Sequence, residues 1–289
     1  MARLCWSFGV ISCAAVISAA SRVQAEPERE RQPMTWQAAP AGSSAHQSDG
    51  VDQRTEPGDD AARATEDGRL SPFTMGTVVP RAHAGVTALG GYDSAAGSAR
   101  TVTSAEARAL TFLAFRVEYE HGPATGSDDR VTLGARVALL RQAAHGIDLG
   151  AGFFFQPKDF RGEGNFVGAV LLGRNFGRWG LFCNGLVGLD SEGDDGSAEL
   201  RLSSMYRVSK LLHVGFDARG RYNFSDDEKR FSAQQVNWEI QAGPLASLTL
   251  GPVALLAIVG PSALHLTQPN LDERTALGVL AMAGAGAAF

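Results

Sequence analysis

The side chains best suited to chemistry in this chain of 289 residues are few and scattered. His121 and His265 are groups that could take a proton from a nucleophile, and Asp128 and Asp129 follow His121 closely enough to orient its ring. Hydrolysis by such a base needs a presented nucleophile, and the chain has no G-x-S-x-G turn. The acidic run Asp190-Ser191-Glu192-Gly193-Asp194-Asp195-Gly196 offers calcium-like ligands, but its spacing misses the helix-loop pattern, so a solvated turn is the simpler reading. The run Asp226 to Arg230 reads the same way, and Gly162-Glu163-Gly164 serves a turn rather than a phosphate. No catalytic residue, metal site or cofactor is assigned.

The remaining charged side chains are informative by parity. In 211–224, Leu212, Val214, Phe216, Ala218, Tyr222 and Phe224 alternate with His213, Gly215, Asp217, Arg219, Arg221 and Asn223. The same period of two runs through 107–120, 129–141, 146–156, 197–208 and 235–249, where Val236, Trp238 and Ile240 oppose Asn237, Glu239 and Gln241. Such runs exceed the usual strand of about 5–6 residues and match the tilted membrane strand of about 9–11. Segments 164–175, 178–190, 252–266 and 276–289 are apolar on both faces. If lipid lies on one side, the charges must lie on the other, because a cation facing lipid near the midplane costs about 2–4 kcal/mol. The inward face then carries Arg108, Arg116, Arg136, Arg201, Arg207, Arg219 and Arg221 against Glu118, Glu120, Asp148, Glu199, Asp217 and Glu239. The signs nearly balance, which fits either a paired network that plugs a lumen or a hydrated polar interior.

Residues 1–25 read as a cleavable export signal: Arg3, an apolar run Leu4–Ala20, and Val23-Gln24-Ala25 before the cut. Cys5 and Cys13 leave with it, so the mature chain keeps Cys183 and has neither an internal disulfide nor a cysteine-based zinc site. Residues 26–77 are poor in aromatic and β-branched residues and read as a disordered periplasmic tail. Residues 78–106, with Pro80 and Gly90-Gly91, are an uncertain extra strand or linker. Net charge is −5, so nothing points to nucleic acid. Mean hydropathy is −0.07, which does not exclude the membrane, since only alternate residues of a barrel strand meet lipid.

The links between segments alternate: short at 142–145, 177–178, 209–210 and 251–252, longer and charged at 121–129, 157–164, 190–196, 225–234 and 267–275. Membrane barrels pair short periplasmic turns with longer outer loops. With its export signal, alternating strands and terminal Phe289, the chain over 107–289 resembles the small outer-membrane β-barrels of Gram-negative bacteria. The resemblance implies an all-β, closed, antiparallel up-and-down barrel of ten strands, or twelve if 78–105 adds a hairpin. It implies contact with outer-membrane lipids and assembly by the barrel machinery, which would read Phe289 as its signal. It also leaves room for an extracellular ligand at the outer loops. The function expected is non-enzymatic: a structural or surface protein, or a narrow porin-like passive channel with a charge-paired lumen. The rivals are a hydrolase at the outer rim and a soluble periplasmic lipid-binding barrel.

Overall fold

A computed structural model describes Ser71 and residues 73–76, 82–122, 129–158, 163–191, 195–225, 235–267 and 273–289. The export signal and most of the expected tail lie outside the described residues.

Twelve antiparallel strands close into one barrel, each paired with its sequence neighbours and β1 with β12. They are β1 (Ala84–Asp93), β2 (Ser98–Leu110), β3 (Leu113–His121), β4 (Asp129–Leu140), β5 (Asp148–Lys158) and β6 (Glu163–Phe176). The second half is β7 (Trp179–Asp190), β8 (Asp195–Arg207), β9 (Leu212–Ser225), β10 (Gln235–Leu250), β11 (Val253–Thr267) and β12 (Glu273–Ala288). Short links and Phe289 gather at one rim, the turn rim, where a one-turn helix α1 (Gln142–His145) ends on Gly146 with φ 76°. The opposite, loop rim carries the connections 94–97, 122–128, 159–162, 191–194, 226–234 and 268–272.

The expected count of ten is corrected to the alternative of twelve, and the barrel begins at Ala84 rather than at 107. Pro80 precedes β1 and so interrupts nothing. Gly90-Gly91, read as a break, lies inside β1, and its second residue is needed there. A Cβ on Gly91 would stand 2.0 Å from the Ala281 carbonyl oxygen, and one on Gly284 2.0 Å from that of Ala88. The closing seam between first and last strands is thus too tight for side chains at these positions. The segment 107–120 also divides, because Thr111-Phe112 forms a turn within it.

Side chains sort as the parity argument requires. Phe115, Phe153, Phe216, Tyr222, Ile240 and Leu277 are exposed around the barrel, a continuous apolar exterior that soluble domains rarely carry. Tyr119, Tyr222 and Phe224 lie toward the loop rim and Trp179 and Phe289 at the turn rim, all exposed. Val236 is a correction: a register shift between Val236 and Trp238 turns it inward, where it is buried beside Leu264. Cys183 lies on β7, and the expectation of a lone thiol concerns the chain after signal cleavage.

Candidate functional site

The lumen divides around its circumference into four arcs. β2–β4 and β8–β10 present buried charges, whereas β5–β7 and β11–β1 present mainly apolar side chains. In a twelve-stranded ring β3 lies opposite β9, and β6 opposite β12. The charged arcs therefore face each other across the lumen, and so do the apolar ones.

The charged arcs are joined directly. Arg219 Nη1 on β9 donates to Glu120 on β3 at 2.5 Å, and its Nε to Glu199 at 2.7 Å. Arg201 on β8 holds Glu199 at 2.6 Å and reaches Glu118 on β3 at 3.3 Å. Arg100 on β2 bonds Glu120 at 2.6 Å and lies 3.5 Å from Glu239 on β10. Arg130 bonds Glu120, Arg136 bonds Glu106, and Arg116 bonds Glu118 at 2.7 Å. Six of the buried or half-buried guanidiniums, Arg100, Arg116, Arg130, Arg136, Arg201 and Arg219, are thus paired with carboxylates of Asp93, Glu106, Glu118, Glu120, Glu199 and Glu239. Burial of an unpaired ion costs several kcal/mol, so this pairing offsets most of the cost of burying them.

A piece of the chain itself completes the lumen. Ser71 and Phe73–Gly76, at the end of the stretch read as a disordered tail, lie inside the barrel. Ser71 Oγ donates to Asp217 at 2.6 Å, and the Phe73 amide to the same oxygen at 3.2 Å. Arg201 donates to the Phe73 carbonyl at 3.0 Å. The Met75 amide donates to Asn184 at 2.6 Å, and Arg136 to the Met75 carbonyl. The backbone of Phe73 and Met75 is therefore bonded to the wall, and the Thr74 amide donates to Ser71 Oγ at 2.8 Å, as a buried backbone requires. The side chains of the segment fill the apolar arcs. Phe73 belongs to a buried cluster centred on β11–β1 that also takes in Val102, Met205 and Leu245, and Met75 to one centred on β5–β7 with Phe154, Val167, Leu171 and Leu186.

Of the expected charge network, Glu118, Glu120, Arg136, Glu199, Arg201, Asp217, Arg219, Arg221 and Glu239 are buried in the lumen, and Arg116 joins them through Glu118. Three are not buried there. Arg207, in register with His213, is half-buried at the turn rim. Arg108 sits at the turn rim beside a bulge, bonded to His83 at 3.3 Å. Asp148 caps the turn after β4, accepting from the Gln142 amide at 2.8 Å. Asp93, Arg100, Glu106 and Arg130 were missed. Arg130 shares parity with Arg136, and Glu106 with Arg116, so both were legible; Asp93 and Arg100 needed β1 and β2 to be recognised as strands. The signal for the lumen segment was Phe73 and Met75, two large apolar residues at the end of a polar stretch.

The rim histidines lie apart from the lumen. His121 Nδ1 is 2.8 Å from Asp129, which also accepts from Tyr119 at 2.6 Å. His265 is stacked on Trp238, with Nδ1 3.0 Å from Thr275 Oγ1 and Nε2 3.7 Å from Glu273. The last distance exceeds a hydrogen bond, and Glu273 is exposed, so the base is not held as a catalytic triad requires. Most of the acidic run 190–196 and the run 226–230 lie outside the described residues.

No family model matches the sequence, and no curated protein matches it. Solved structures do share the fold. A crystal structure of the NanC porin superposes with a TM-score of 0.51 at 10% identity, over 71% of this chain and 99% of that one. An outer-membrane channel from Pseudomonas putida F1 superposes with a TM-score of 0.50 at 12% identity, over 74% and 97%. The chain has the closed-barrel fold of outer-membrane channels.

Proposed function

We propose that the protein is a non-enzymatic outer-membrane barrel, a narrow passive channel held shut by its own residues 71–76. The observation that carries this reading is the segment's path across the lumen, with Phe73 in one apolar arc and Met75 in the opposite one. A barrel of about 8 strands fills with its own side chains and one of about 16–18 leaves a water-filled bore. Twelve strands fall between, so an added segment is what completes closure. The apolar exterior supports residence among outer-membrane lipids, with the turn rim and Phe289 toward the periplasm, where the assembly machinery would read that residue. The same exterior, with a filled lumen, opposes a soluble lipid carrier. Among the described residues no oriented nucleophile supports the hydrolase, and unchanged lipid and peptide turnover in His121→Ala and His265→Ala is expected.

Planar-bilayer recording tests the channel. The full protein should be silent or show only small flickers, and a variant lacking 71–76 should show stable openings. Large stable openings from the full protein contradict the closure. A folded deletion variant that stays silent favours a structural surface barrel instead.

A further inference from the structure

One guanidinium of the network is left over. Arg221, more than nine-tenths buried, stands on β9 directly opposite Glu199 on one side and Glu239 on the other. Neither carboxylate turns to it. Glu199 accepts from Arg201 Nε at 2.6 Å and Arg219 Nε at 2.7 Å, and Glu239 lies 3.5 Å from Arg100 and 3.8 Å from Arg219. Among the described residues the Arg221 Nε and Nη1 have no hydrogen-bond partner. Arg130, also more than nine-tenths buried, brings its Nη1 to 3.7 Å from Glu199, the residue opposite Arg221, and its Nε too has no hydrogen-bond partner among the described residues. Two buried cations beside the same carboxylate thus keep donors unused, and an oxyanion would accept those hydrogen bonds and offset the repulsion between them.

We propose that Arg221, with Arg130, holds a small oxyanion in the lumen, the carboxylate or phosphate group of a solute. Arg130 is already committed to Glu120 through Nη2, so Arg221 supplies the free charge and Arg130 the second donor. Binding there does not depend on whether the lumen conducts.

The test uses the full folded protein in detergent. Its melting temperature is read in sodium phosphate, sodium acetate and sodium chloride at matched ionic strength, and binding is followed by isothermal titration with phosphate and with acetate. A ligand of the native state raises the melting temperature. The wild type should melt higher in phosphate, acetate or both than in chloride, with one site by titration; the arm that responds identifies the oxyanion. Arg221→Gln should lose the specific rise and bind at least about tenfold more weakly, the loss of one charge-assisted hydrogen bond. Arg221→Lys, which keeps the charge without the fork, should fall between. Equal melting of the wild type in all three salts with no titration signal overturns the site, and so does a rise retained in Arg221→Gln. If Arg221→Gln does not fold, the wild-type titration and Arg221→Lys decide alone.

Discussion

The charged and apolar arcs of the lumen solve one problem, filling a twelve-stranded bore, by opposite means. In β2–β4 and β8–β10 the wall supplies both partners, and arginines reach across to carboxylates on the far side. In β5–β7 and β11–β1 the wall supplies a mainly apolar surface, and Phe73 and Met75 pack into it. The charged arcs are bonded wall to wall; the apolar arcs are closed by a segment that can leave without breaking a strand pair. The difference separates what holds the barrel together from what blocks it.

The sharpest way to break this contrast is Arg219→Gln. It leaves Glu120 and Glu199 short of a buried partner and should cost the barrel about 3–5 kcal/mol, read as a lower midpoint in denaturant. Next comes Phe216→Arg on the exterior. An arginine facing lipid should cost about 2–4 kcal/mol in folding into bilayers, though arginines on the neighbouring inward positions are tolerated. A smaller effect is expected for Ser71→Ala, which removes a hydrogen bond to the Asp217 carboxylate. It should weaken the seating of the segment by about 1.5–3 kcal/mol, seen as faster proteolysis near residue 71, with the barrel midpoint unchanged. The smallest is Arg108→Ala, which should stay within about 0.5 kcal/mol, because among the described residues the side chain of this arginine pairs with His83, outside the lumen. If Arg219→Gln and Arg108→Ala cost the same, the wall-to-wall network is not what holds the charged arcs.

The same contrast explains what could be read from sequence. The strands of the charged arcs alternate cleanly, so β9 and the body of β10 were plain, and most of the buried arginines and carboxylates were found by parity. The segments that resisted, 164–175, 178–190, 252–266 and 276–289, are β6, β7, β11 and β12. Their two faces are both apolar because one meets lipid and the other meets the lumen segment or its neighbours. Period two needs a polar face, and these strands have none. β1 was obscured by Gly90-Gly91, since glycine marks a break in most strands but a close backbone approach at this seam. Val236 shows the remaining limit: one extra residue in β10 reverses its face, and no alternation rule signals where a bulge falls. The lumen segment was hidden by averaging, its two apolar residues diluted by the polar stretch before them.

The central claim is that Met75 lies inside the closed barrel, and thiol labelling tests it most directly. With the native cysteines replaced by alanine, Met75→Cys is compared with Ser94→Cys, an exposed residue in the β1–β2 turn. Met75→Cys should react with a water-soluble maleimide only after denaturation, while Ser94→Cys reacts at once. Equal rates in the folded protein would place residue 75 in open water and contradict the closed lumen.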